Sequence, residues 1–302
     1  MASFFLADDR RLKCGWRVGF FFVAQILLQM LVGIVFSIAL IFIMVASGKE
    51  FSQSAFMEHL DALTIPISCS AMIMIYPLLR IFRRYIDKKS FISLGLFINK
   101  RTLHQAGFGI VLGLVAISGA ILILYVLGGC EINGFSWHDI SLTRVLGLVL
   151  ASFVVMSIVG MTEELIMRGY IMGNLMEKVK PMSAILISSL LFMLMHLLNP
   201  GINLIAVTNI FLAGILLGLA FYRSGSLWLP IGLHFSWNFA QNGIYSLPVS
   251  GQPFTGLVDV QLVGPELLTG SNFGIEGGFI GSLMILALIM IILFIYRKPQ
   301  IQ

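Results

Sequence analysis

The chain has 302 residues, 58% of them hydrophobic and 11% charged, with a formal net charge of +5. Its mean hydropathy is +0.98. Soluble domains are roughly a quarter charged, so a soluble globular enzyme is excluded, as are a disordered chain, a fibrous protein and a nucleic-acid binder with a basic face.

The apolar residues fall into runs of roughly 20, the length that crosses a bilayer. Eight spans are predicted. The first, 18–46, follows Met1–Arg17, which holds Asp8, Asp9, Arg10, Arg11 and Lys13. A signal peptide is acid-poor there and has a shorter apolar part. The span is therefore expected to be retained and, being overlong, to tilt or curve. The others are 62–82, 106–128, 145–176, 182–198, 203–222, 227–245 and 277–296. Connection 83–105 is basic and amphipathic and is expected on the inner membrane surface. Connection 246–276 is glycine-rich, carries Asp259, Glu266 and Glu276, and reads as an outer linker or a lid. No repeat or low-complexity tract appears.

Basic residues alternate between connections. Arg10, Arg11, Lys13 and Arg17 precede the first span, and only Lys49 follows it. Arg80, Arg83, Arg84, Lys88, Lys89, Lys100 and Arg101 gather in the next connection, and Arg144 stands alone in the one after. Lys178 and Lys180, then Arg223, then Arg297 and Lys298 continue the pattern. The positive-inside rule then puts both termini in the cytoplasm. Cys14 falls inside, Cys69 within a span and Cys130 outside, so no disulfide framework is expected. The predicted fold is all-α: a polytopic membrane protein of about eight transmembrane helices. It divides into N-terminal helices (1–145), a core of four spans (146–251), and an outer loop with the last span (252–302).

Nearly all charged residues lie in termini, connections or span ends. The exceptions are Glu163, Glu164 and Arg168 in M-T-E-E-L-I-M-R-G-Y, joined by the span histidines His196 and His234. An ionisable group at the bilayer centre costs about 2.5–3.5 kcal/mol on insertion scales, so five such groups mark a site. Glu164 and Arg168 are spaced i,i+4 in the order that favours an ion pair. Glu163 is left over, and at about 100° per residue it is expected to point away from the Glu164–Arg168 face. A desolvated carboxylate without a cation of its own is a candidate general base. His196 lies one turn after Phe192, and His234 one turn before Asn238. The latter two are either interhelical glue or paired donors for a developing oxyanion. Spans four and five reverse near Val179–Lys180, and Glu163 and His196 lie equally far on either side. In a helical hairpin they stand at one height, roughly 25 Å from the turn.

These motifs, E-E-x-x-x-R (Glu163, Glu164, Arg168), F-x-x-x-H (Phe192, His196) and H-x-x-x-N (His234, Asn238), resemble the CPBP intramembrane proteases. That group includes the CAAX prenyl proteases and the Abi-type bacteriocin-processing or self-immunity proteins. Asn199–Gly201 and G-S-L-W-L-P-I-G-L-H-F-S-W-N (Gly225–Asn238) look like the same family, over about Ala151–Gly251. The resemblance implies a glutamate-dependent intramembrane endopeptidase. Glu163 and His196 would activate water, His234 and Asn238 would hold the oxyanion, and Glu164 and Arg168 would support the helix. It implies no cofactor. The alternative is zinc held by Glu163, His196 and His234, although E-E-x-x-x-R is not the H-E-x-x-H of zinc proteases. The implied partners are membrane lipid and a peptide or membrane-protein substrate, prenylated or leader-type, with no nucleic acid. The expected location is a bacterial cytoplasmic membrane, since no C-terminal retrieval signal is seen. Two other functions compete: an ion- or proton-coupled transporter, which calls for matching halves that are not seen, and a non-catalytic immunity or scaffold protein.

Overall fold

The computed structural model describes residues 11–46, 69–70 and 72–300. The expected N-terminal charges Asp8, Asp9 and Arg10, the Lys49 connection and the start of the second span lie outside the described residues. The chain is mostly helical and divides into two compact units, one ending at Phe91 and one beginning at Ile92.

In the first unit, α1 (Cys14–Ala46) is a single helix of 33 residues. At 1.5 Å per residue it is about 50 Å long, well beyond a bilayer core. Helix α2 (72–81) closes in a π-helical turn, Phe82–Ile86. Just beyond it, buried Asp87 accepts from Arg83 Nη1 at 2.9 Å and from Arg17 Nη1 at 3.3 Å. The start of α1 is thereby tied to the end of α2. Phe21 packs edge-on against Phe82 at 5.3 Å beside this knot.

The second unit opens on a 3₁₀ turn, Ile92–Leu94, and α3 (Lys100–Val126) follows. Helix α3 starts six residues earlier than hydropathy predicts, because N-K-R-T forms a capping box. Asn99 Oδ1 accepts from the Thr102 backbone at 3.0 Å, and Thr102 Oγ1 accepts from the Asn99 backbone at 2.9 Å. Such a cap extends a helix into polar sequence. Helix α4 (Leu142–Leu175) contains a π-helical stretch, Leu165–Met172. Helices α5 (Pro181–Met195), α6 (Leu204–Ser224), α7 (Trp228–Phe239) and α8 (Phe279–Ile295) complete the bundle. Helix α7 runs on into a π turn, Ala240–Ile244. Among the described residues, four helices are long and apolar enough to cross a membrane: α1, α3, α4 and α6. Helices α5 and α8 are apolar but shorter.

The all-α expectation is corrected in one place. Strand β1 (Cys130–Phe135) pairs antiparallel with β2 (Val258–Leu262), Cys130 opposite Leu262 and Ile132 opposite Val260. V-D-V-Q-L alternates apolar and polar residues, the period of a half-buried strand. The connection 246–276 is therefore a structured strap rather than a bare linker.

Helix α7 is buried on nearly every side, and two interleaved faces explain why. Gly232 and Ser236, four apart, face α3. There a Cβ on Gly113 would stand 2.7 Å from the Trp237 nitrogen, so only glycine permits this approach of the two backbones. His234 and Asn238, also four apart, are offset from that face by about 200° at 100° per residue, and His234 meets α4. On the far side of the site a Cβ on Gly214 of α6 would fall 2.7 Å from Ser189 Cβ of α5. This close packing seats the α5–α6 hairpin.

Candidate active site

Helix α4 brings Glu163, Glu164 and Arg168 to the centre of the second unit. Glu164 and Arg168 form the ion pair their spacing implies, Arg168 Nη1 donating to Glu164 Oε1 at 2.8 Å, and both residues are fully buried. Arg168 Nη2 donates to the Gly214 carbonyl of α6 at 3.1 Å, and its guanidinium lies 4.7 Å over the Phe192 ring of α5. One cation thus joins three helices, using its fork, its charge and its flat face together.

His234 is held by the same carboxylate. Its Nδ1 stands 2.9 Å from Glu164 Oε1. A carboxylate only accepts, so Nδ1 carries the proton, and Nε2 is the nitrogen turned to Glu163 Oε2, 3.8 Å away. The expectation that Glu163 points away from the Glu164 face is corrected here. Adjacent helical residues diverge by about 100°, and the His234 ring occupies the sector between them, one nitrogen to each carboxylate. A separation of 3.8 Å is too long for a direct hydrogen bond, and Glu163 Oε2 has no hydrogen-bond partner among the described residues. The Glu163 side chain is 15% exposed while that of Glu164 is 0% exposed. Of the two carboxylates, Glu163 is the more exposed.

His196 lies at the end of α5, at its C-cap rather than inside a span reaching 198. Its Nδ1 is 2.8 Å from the Phe192 carbonyl, which fixes that nitrogen as the donor and leaves Nε2 with its lone pair. The Phe192 ring is the hub of the cluster, 4.6 Å from the His196 ring and 6.1 Å, edge-on, from that of His234. Asn238 is buried one turn beyond His234 on α7. The structure thus gathers Glu163, Glu164, Arg168, Phe192, His196 and His234, and Asn238 follows one turn after His234 on α7.

Two participants escape a reading of the sequence. Gly214 contributes its carbonyl to Arg168, and the only signal for it is small residues four apart, Gly214 and Gly218. Glu276, from the strap, accepts from Trp237 and Gln241 on either side of Asn238. In the sequence it is one more acidic loop residue.

A zinc site would need three donors converging at about 2 Å from one point. Among the described residues no group of three His, Cys, Asp or Glu side chains does so. Glu164 Oε1 is already shared by a guanidinium and an imidazole. Adding a dication beside Arg168 would place like charges together in a low dielectric, where their repulsion is least screened. This donor set does not fit a metal.

Residues 145–240 match the family described as type II CAAX prenyl endopeptidase, Rce1-like. No curated protein and no solved structure matches the chain. The matched segment contains every motif residue from Glu163 to Asn238, and the resemblance carried by those motifs is borne out. Over this third of the chain the protein is similar to the Rce1-like CAAX endopeptidases.

Proposed function

We propose that this protein is an intramembrane endopeptidase of the Rce1-like CAAX type, with 146–251 as its catalytic core. Glu163, helped by His196 Nε2, takes a proton from water as the water oxygen attacks the scissile carbonyl. His234 Nε2–H and Asn238 donate to the oxyanion, and the proton on Glu163 passes to the leaving amine. To donate at both nitrogens His234 must be the imidazolium. Glu163 and Glu164 then balance His234 and Arg168, so the cluster is neutral as a whole, the cheapest state for four ions in an apolar core. The observation that carries the reading is the His234 ring between two carboxylates, one tied to Arg168 and one partly exposed. The substrate class proposed is a membrane-associated peptide, prenylated or leader-type, cut in a bacterial cytoplasmic membrane.

The test is cleavage of quenched peptides, with and without a prenyl group, by detergent-purified protein. Cleavage that persists at equilibrium with a chelator is the expected result. Zinc-restored activity after chelation would overturn the water-activation scheme in favour of metal chemistry.

The proposed topology has eight spans with both termini in the cytoplasm. It is supported by the alternation of basic connections and by the pairing of β1 with β2, which puts connections 127–141 and 246–278 on one side. A reporter fused after the last residue, Gln302, should read cytoplasmic, and one inserted near Gln252 external. The opposite pair of signs would reverse the orientation and leave the site unchanged.

A further inference from the structure

Glu276 stands outside the matched family segment, shortly before α8, yet its carboxylate accepts four hydrogen bonds. Its Oε1 accepts from Trp237 Nε1 at 3.0 Å and from Gln241 Nε2 at 3.3 Å. Its Oε2 accepts from the Ser250 backbone at 3.0 Å and from Ser250 Oγ at 2.7 Å. Its backbone carbonyl accepts from Asn209 Nδ2 of α6 at 2.8 Å. Asn209 is itself fully buried and fixed by Gly278 and Ser282 of the same segment. Ser250 adopts φ +48°, a region that disfavours side-chain-bearing residues, and the two bonds to Glu276 hold it there. One side chain thus fastens α7 to the strap, while the backbone carbonyl of the same residue holds α6.

We infer that Glu276 is a positioning residue that sets the rotation and height of α7, and through them the aim of His234 and Asn238. This rests on the catalytic roles proposed above. Trp237 and Gln241 are four residues apart and flank Asn238, so two donors one turn apart meet a single oxygen. A helix held at two such points cannot rotate without breaking one of them. On its opposite side α7 packs closely on α3 through glycines, and there Ser236 Oγ donates to the Gly109 carbonyl at 3.4 Å. At a side-chain radius of about 6 Å, a rotation of about 10° moves a ring nitrogen by about 1 Å. A displacement of that size costs a reaction about 10²-fold. Glu276 touches no reacting atom, and its effect passes entirely through α7.

The test compares purified variants in detergent. Glu276→Ala is expected to lower kcat about 10–100-fold with KM within about twofold, and to raise amide exchange across residues 237–244. Glu276→Gln keeps an acceptor for α7 and should restore most of kcat. Ser250→Ala loosens only the strap and should leave both kcat and α7 exchange near wild type. Trp237→Phe removes one donor, and its effect should largely vanish in the Glu276→Ala background. Wild-type kcat and wild-type α7 exchange in Glu276→Ala would overturn the inference, as would equal losses from Ser250→Ala and Glu276→Ala. If Glu276→Ala does not fold, a Trp237→Phe protein with unchanged kcat and exchange overturns it equally. If the wild-type protein cleaves no peptide, the proposed function fails, and amide exchange alone then decides whether Glu276 holds α7.

Discussion

Glu163→Gln should abolish peptide cleavage while the protein remains folded. The substitution keeps the size and polarity of the side chain and removes only its capacity to take a proton. General-base catalysis contributes about 10²–10⁴-fold, so kcat should fall at least about 10²-fold. Folding should survive because Glu163 is not the partner of Arg168, and its 3.8 Å approach to His234 is not a hydrogen bond. The measurement is kcat of monodisperse protein on a cleaved peptide, with thermal unfolding alongside. A variant that cuts at near wild-type rate would remove Glu163 from the base role and turn attention to His196.

Arg168→Ala should act in the opposite manner, on the fold before the chemistry. It strands Glu164, whose side chain is 0% exposed, with His234 as its remaining partner. It also removes the hydrogen bond to Gly214 and the guanidinium over Phe192. Removing one member of a buried ion pair costs about 3–5 kcal/mol, and the cation–π contact adds about 0.5–2 kcal/mol. Those losses compare with a total stability of about 5–15 kcal/mol for a typical domain. Folded yield should therefore collapse, read as loss of the monodisperse peak on size exclusion. Arg168→Lys should recover only part of it, because an ammonium cannot hold Glu164 and Gly214 through a flat fork while lying on an aromatic ring. Normal yield of Arg168→Ala with normal unfolding would show that Glu164 is satisfied without the arginine.

The site was legible in the sequence to the extent that charge in an apolar run is conspicuous. Glu163, Glu164, Arg168, His196 and His234 declare themselves by cost alone, and the Glu164–Arg168 pair by spacing. Periodicity did not convey what lies between adjacent residues. The 100° between Glu163 and Glu164 reads as divergence until a ring from another helix fills the gap. Hydropathy likewise finds apolar length and overlooks polar caps, which is why α3 begins at Lys100 and not near residue 106. Strands β1 and β2 are five or six residues each, too short to stand out between long helices, and neither is stable without the other. Glu276 was hidden because its partners come from α6, α7 and the strap, and no local pattern encodes such a meeting.

The pairing of β1 with β2 bears on how the molecule is assembled. The two strands lie almost half the chain apart in sequence, so the ribbon closes a very long loop, the kind of contact that forms slowly. During synthesis β1 emerges before α4, whereas β2 follows α7 and immediately precedes the last helix. All residues of the buried ion cluster are therefore synthesised while the ribbon still lacks one of its two strands. Closure of the ribbon has to await β2, so the ion cluster is complete in sequence before the ribbon can form.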